Sequence, residues 1–438
     1  MNDEKRIRIT FDPWLSVVVV LLLCISMLMV TSSSAYVARS YDVGIYHYSI
    51  RQGIYIGGGI LMAYLTFKVP LETWYRITPL LIMLTFVFLI LVLIPGIGRE
   101  INGAMRWIPM KFMNVQPAEM AKVFCIIYIA SYLHRHHATL KTSTMALVAP
   151  LFVLGAFGFF LLLEPDFGST TIILAVGLTM IFIAGVSLWR FGLMLAITLG
   201  LMVAALYSSP YRKARLAVFL DPWQDMYNQG YQLINSLIAI GRGKLGGVGI
   251  GESVQKLGYL PESHTDFIFS IYAEELGFFG VVVLIGLYLL FLNRAYHIGN
   301  RAERLELRFA AYLAYGIGTL VTLQAFTHMG VTLGLLPTKG LTLPLVSYGG
   351  SSMVMMIIAV SILFRIDIDT QSLQYQNYLK YREKEAQKAA KQAEKEAALA
   401  AKEAARLKEP LISQSPDEME LSSVELSSAD FKGVPHHG

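Results

Sequence analysis

From residue 14 to residue 365 the chain alternates apolar runs of about 20 residues with short polar breaks. A helical run of that length crosses the hydrocarbon core of a bilayer, at a rise of about 1.5 Å per residue. Lipid offers no water to an unpaired backbone group, so a chain patterned this way folds as a bundle of helices. The candidate spans are 14–34, 50–67, 77–97, 116–133, 145–163, 169–187, 191–207, 267–293, 308–330 and 345–365. The expected fold is an all-α integral membrane protein of about ten transmembrane helices. Composition agrees: 55% of residues are hydrophobic and 15% charged, against about 25% charged in a soluble domain.

An even number of spans puts both termini on one side. Loops on that side carry Lys68, Arg76, Arg135, Lys141, Arg190, Arg294, Arg301, Arg304 and Arg308, and the N-terminus adds Lys5, Arg6 and Arg8. The positive-inside rule makes that side cytoplasmic. The first apolar run is too long for a signal-peptide core and reads as an uncleaved helix. The organisation expected is a cytoplasmic N-terminus (1–13), a membrane domain (14–365), a cytoplasmic charged helix (366–408) and a disordered tail (409–438). Ala, Lys, Glu and Gln dominate 375–408, and Ser with acids dominates the end. Residues 366–438 hold 10 Lys and Arg against 13 Asp and Glu, whereas the remainder holds 26 against 18. So basic a membrane body suits an anionic ligand such as a lipid phosphate. Cys24 and Cys125 lie in apolar runs and read as buried hydrophobes.

The opposite, extracytoplasmic side carries basic residues against the orientation signal: Arg99, Arg106, Lys111, Arg212, Lys213, Arg215, Arg242, Lys244, Lys256 and Lys339. Its longest loop, 208–266 between the seventh and eighth spans, is rich in aromatics and glycine, the mark of a structured, functional loop. Intramembrane charge is costly, about 2.5–3.5 kcal/mol per group, and Glu119 and Lys122 share one helix face with Gln116. They read as a structural pair or as the border of a polar cavity. In Glu164-Pro165-Asp166-Phe167-Gly168, Asp166 reads as a helix cap and Glu164 as a cavity residue. Gly241 to Gly246 matches GxGxxG, but no βαβ unit surrounds it, so it reads as a tight turn presenting Arg242 and Lys244. His134 to His137 reads as a hydrated cytoplasmic loop, not a metal cluster. Asp266 stands where the long loop enters the eighth span; on residue chemistry alone the helix-cap reading leads. Glu275 reads as a satisfied polar group or as the partner of a loop arginine.

Several stretches together resemble the SEDS family (shape, elongation, division and sporulation). They are Gly103-Ala104-Met105-Arg106-Trp107-Ile108, Gln116 to Lys122, Glu164 to Gly168, Tyr211-Arg212, Gly230-Tyr231-Gln232, Leu260 to Phe269, and Leu336 to Ser352. They run in family order over residues 10–370. Gly241-Arg242-Gly243, Ser253 to Glu262 and Thr338 to Pro344 resemble the division branch more than the elongation branch. Glu164 departs from the glutamine found in many members. The resemblance implies a peptidoglycan glycosyltransferase that polymerises lipid II at the outer face of the cytoplasmic membrane, at the division septum. It implies a class B penicillin-binding protein as partner, together with other divisome membrane proteins, and no nucleic acid. The family's presumed catalytic acid falls on Asp266, which puts the general-base role ahead of the cap.

The chemistry fits. Undecaprenyl pyrophosphate leaves without a proton, so one base suffices where a glycosidase needs two carboxylates. Positive charge must then hold the departing phosphates. Arg106, Arg212, Arg242, Lys244 and Lys339 are candidates, with Ser347 beside them and a divalent cation, Mg or Mn, compatible with the reaction. The rival readings are a lipid II flippase, which would depend on Glu119 and Lys122, and a non-catalytic divisome scaffold, which would tolerate change at every charged site. The topology is testable. With Cys24 and Cys125 removed, a cysteine introduced at Asn228 should label with an impermeant thiol reagent in intact spheroplasts. Labelling only after lysis would contradict the ten-span arrangement.

Overall fold

A computed structural model describes residues 10–101, 104–110, 114–140, 142–228, 230–337 and 340–412. The first two helices are α1 (Pro13–Ser40) and α2 (His47–Lys68), and α3 (Leu71–Leu93) returns across the bundle. A short three-stranded antiparallel sheet follows, β1 (Arg99–Ile101), β2 (Ala104–Pro109) and β3 (Asn114–Val115), with β2 in the middle. The apolar-run reading gave no hint of it, because strands this short leave no period. Next come α4 (Pro117–Arg135), the single turn α5 (His137–Leu140), α6 (Val148–Leu163), α7 (Phe167–Ile183) and α8 (Leu188–Tyr207). The long loop folds as α9 (Pro210–Leu220) and α10 (Tyr231–Gly243) before α11 (Ile268–Arg304), α12 (Arg308–Thr332) and α13 (Gly350–Ile412).

Among the described residues seven helices are long and apolar enough to cross a membrane: α1, α3, α6 with the 3-10 turn before it, α8, α11, α12 and α13. The other three runs read as spans are α2, α4 and α7. The first two carry interior polar groups such as Gln52, Glu119 and Lys122, and α7 is only 17 residues long. The last span and the charged helix read after Arg365 form one continuous helix from Gly350 to Ile412. No Gly or Pro lies between Arg365 and Gln374, so nothing there ends a helix. The chain divides into two compact units, Met1–Leu373 and Gln374–Gly438.

Packing follows burial. α12 is buried over almost its whole length and lies against α4, α7 and α11. At the end of the bundle where the N-terminus lies, Asp12 caps α1 through Leu15 N and pairs with Arg294 of α11, while Arg301 of α11 pairs with Asp367 of α13. Removing one partner of such a buried pair costs about 3–5 kcal/mol, because the other charge is left without compensation. Cys125 is buried as read, but Cys24 is exposed on α1 and both thiols are free.

The glycine-rich segment after α10 docks backbone to backbone on a break in α11. Gly277 adopts φ 65° inside the helix, and a Cβ there would lie 2.2 Å from Gly247 N. The amide of Val248 donates to Glu274 O and that of Gly249 to Glu275 O, while the amides of Phe278 and Phe279 donate to Lys244 O and Leu245 O. These exchanges satisfy the groups that the break exposes. Gly277→Ala should therefore lower the melting temperature, costing about 1–3 kcal/mol from the backbone conformation alone. Gly286→Ala on the same helix, where a Cβ meets nothing within 4 Å, should leave it unchanged.

Candidate active site

The site is built around the end of α6. The last carbonyls of a helix lack intrahelical partners, and here two loop arginines supply them. Arg106 on β2 donates through Nε to Glu164 O at 3.0 Å and through Nη2 to Pro165 O at 2.6 Å. Arg212 on α9 donates to Leu162 O at 3.0 Å and to Ala205 O at 2.6 Å. Asp166 then starts the next helix, its Oδ1 accepting from Ser169 N at 3.0 Å. Because carbonyls hold these guanidiniums, neither is spent on a carboxylate: among the described residues neither forms an ion pair. Each has five N–H groups, so donors remain for a ligand.

Both arginines line a cavity of about 700 Å³, whose wall also includes Trp107, Gln116, Gln232, Thr342, Tyr348 and Ser352. A recess beside it brings Arg106, Arg212 and Arg215 together with Gly340. Asp266 faces the same cavity, half-buried. The α11 N-cap is Phe267, with no side-chain cap bond, so Asp266 does not cap the helix. Burial and the neighbouring Glu262 push its carboxyl up to about 7, against the opposing pull of Arg106 and Arg215. A carboxylate at that value takes up a proton readily at neutral pH. On the opposite side a Cβ at Gly340 would stand 2.9 Å from Asp266 Oδ2, so only glycine leaves the carboxylate its place.

Glu164 is fully buried, and burial with the nearby Asp166 carries its carboxyl to about 9. Neither of its carboxyl oxygens has a partner among the described residues. Its carboxyl is therefore held in the neutral form at neutral pH. His264 packs between Tyr48 and Tyr348, with ring centroids at 4.9 and 5.5 Å, and burial lowers its pKa.

The other residues singled out by sequence lie elsewhere. Arg242, at the end of α10, stands 3.7 Å from Glu274, and Lys244 follows it at φ 47°; neither lines the cavity. Ser347 braces the wall from behind, accepting from Leu343 N and donating to Thr265 O. Glu275 pairs with Lys256 at 2.7 Å and accepts from Ser32. Glu119 and Lys122 pair at 2.8 Å behind the cavity. Lys339 lies outside the described residues. Glu262 and Tyr348 were not singled out, and Arg215 was named among the basic residues of that side but not among the phosphate candidates; it sits one helical turn after Arg212, a spacing that would have paired them had a helix been read there. A divalent cation needs several oxygen ligands. Among the described residues no three His, Cys, Asp or Glu side chains converge, so no metal site is assigned.

Residues 13–372 match the cell cycle protein family typified by FtsW, RodA and SpoVE. The chain is 46% identical over 357 residues to a protein of Alkalilimnicola ehrlichii named as a probable peptidoglycan glycosyltransferase FtsW, covering 82% of this chain and 89% of that one. It is 47% identical over 359 residues to a protein of the same name from Legionella pneumophila, covering 82% and 91%. Among solved structures it resembles a chain of a peptidoglycan synthase complex described as coordinating polymerization and crosslinking (TM-score 0.64, 29% identity, 82% of this chain and 98% of that one). It also resembles the rod shape determining protein RodA of Thermus thermophilus (TM-score 0.61, 26% identity, 82% and 98%). A match that runs from the start of α1 to the end of the first compact unit shows that the chain belongs to the FtsW/RodA/SpoVE family of cell cycle proteins.

Proposed function

We propose that this chain is a peptidoglycan glycosyltransferase that polymerises lipid II during septal wall synthesis, with Asp266 as its general base. The observation that carries the reading is the pairing within one cavity of a carboxyl raised to about 7 with the guanidiniums of Arg106 and Arg212, which are held by backbone carbonyls. Asp266 takes the proton of the acceptor sugar's 4-hydroxyl as that oxygen attacks the anomeric carbon of the donor. The new glycosidic C–O bond forms while the bond to phosphate breaks, and undecaprenyl pyrophosphate leaves with the electron pair. Arg106, Arg212 and Arg215 hold the charge that develops on it. Membership of a family of cell cycle proteins supports action during division, and the basic loops on the side of the termini support a cavity that faces outward from the cytoplasmic membrane. The likeness to a chain of a polymerising and crosslinking complex supports a class B penicillin-binding protein as partner.

The flippase reading needs Glu119 and Lys122 to meet a passing substrate. The Lys122 side chain is 0% exposed, with its ammonium bonded to Glu119 and Gln324, which favours the transferase.

The test is glycan product on a gel from purified protein, its penicillin-binding partner and lipid II. Asp266→Asn keeps the size and removes the acceptor, so polymerisation should fall by about 10²-fold or more at unchanged melting temperature. Activity within a few-fold of wild type would end the assignment and revive the flippase. The wild-type rate should fall as pH drops through about 7, because the base is protonated below that value, and should level off above it. Arg212→Lys keeps the charge but loses the fork. It should lower kcat/KM and weaken inhibition by added pyrophosphate; unchanged inhibition would remove Arg212 from the phosphate site.

A further inference from the structure

The intramembrane Glu119–Lys122 pair extends to a third residue. Lys122 Nζ donates to Glu119 Oε1 at 2.8 Å and to Gln324 Oε1 at 2.7 Å. The second bond decides which way the Gln324 amide faces. Its oxygen is taken by the ammonium, so its nitrogen turns the other way and donates to the Thr342 carbonyl at 2.9 Å. One turn further along α12, His328 Nδ1 lies 2.6 Å from the Leu341 carbonyl oxygen. A carbonyl only accepts, so this nitrogen carries the proton. Gln324 and His328 thus grip two successive carbonyls of one short segment.

The other side of that segment faces Asp266. Gly340 is the residue at which a Cβ would meet Asp266 Oδ2 at 2.9 Å, and the Leu341 side chain seats against Gly168 at the start of α7. Thr342 Oγ1 lies 2.7 Å from Ser352 Oγ, and both residues line the cavity. Gln324 and His328 are 0% and 1% exposed and do not line it, so they act on the chemistry only through the segment.

We propose that Gln324 and His328 are positioning residues that hold residues 340–342 against Asp266, with Lys122 acting through Gln324 by setting its amide. This rests on Asp266 being the base. It gives the intramembrane pair a role that transport does not require. Without the grip two carbonyls lose their partners, the segment moves off, and water reaches the carboxylate. The charged groups facing Asp266 among the described residues are Glu262 on its own loop, Arg106 on β2, Asp166 between α6 and α7, and Arg215 on α9. None of them is altered by the test variants.

The test uses full-length protein in lipid nanodiscs, comparing wild type with Gln324→Met, His328→Leu and His328→Asn, whose amide nitrogen can stand in for Nδ1. Two quantities are read: kcat and KM on lipid II, and the pH midpoint of Asp266 modification by a carbodiimide, followed by peptide mass spectrometry. For Gln324→Met and His328→Leu, kcat should fall about 10²-fold, the scale of an ångström's misplacement, with KM little changed. The Asp266 midpoint should drop by about one unit or more toward the ordinary carboxylate range, since desolvation is relieved. His328→Asn should restore both. Folded variants with wild-type midpoint and kcat overturn the proposal, and a loss that His328→Asn fails to restore overturns the carbonyl grip in favour of simple packing. Should Gln324→Met not fold, the two His328 variants decide alone, because they leave Lys122 both of its partners. If wild type makes no glycan, the transferase reading falls, while the modification midpoint still decides whether the grip acts on Asp266.

Discussion

A polar group in hydrocarbon has no water to turn to, and much of the arrangement of this protein follows from pairing the charged groups and backbone ends buried within it. Chain breaks inside the bundle are tolerated only where another backbone meets them. The break at Gly277 is matched by the Lys244–Gly249 segment, amide for carbonyl. The end of α6 is matched by Arg106 and Arg212. The Lys122 ammonium is matched by a carboxylate and an amide oxygen, and that amide passes the constraint on to Thr342.

The way the arginines are held matters for chemistry. A guanidinium paired with a carboxylate has its charge cancelled before a substrate arrives. One held by carbonyls is fixed in place, keeps its positive charge and retains free donors. Arg106 and Arg212 are of the second kind, so the positive charge of the cavity stays available to an anion. Arg106, together with Arg215, also acts on Asp266 and opposes the burial that raises its pKa. The balance leaves a group able to exchange a proton near neutrality, in a cavity whose far wall is glycine at residue 340.

Most of the fold was legible because membrane burial writes itself into long apolar runs: each of the ten runs read as spans overlaps a helix, and seven of the helices among the described residues are long and apolar enough to cross a membrane. The small sheet was not legible, since three short strands pair through backbone alone. The charged segment after Arg365 was legible as a helix, but composition alone did not show that it continues the last span without interruption as α13. At the site, Asp166 as a cap, Asp266 at the mouth of α11, and Arg106 and Arg212 were all visible as residue types at polar breaks. Arg242 and Lys244 carried the same signal yet stand away from the cavity, because a basic residue in a loop does not reveal where the loop folds back.

The sequence by itself determined the class of fold, the family and the residues able to do acid–base and phosphate chemistry, because these depend on side-chain type and on order along the chain. Only the tertiary structure decided which of them meet. The capping role of Asp266 was excluded by the geometry at Phe267. The neutrality of Glu164 came from burial. The linkage from Lys122 through Gln324 to Thr342 joins residues more than 200 positions apart at its first step, a separation at which no local pattern survives. Desolvation and hydrogen-bond direction belong to the packed molecule, and in this site they set which carboxyl is charged and which carbonyl is held.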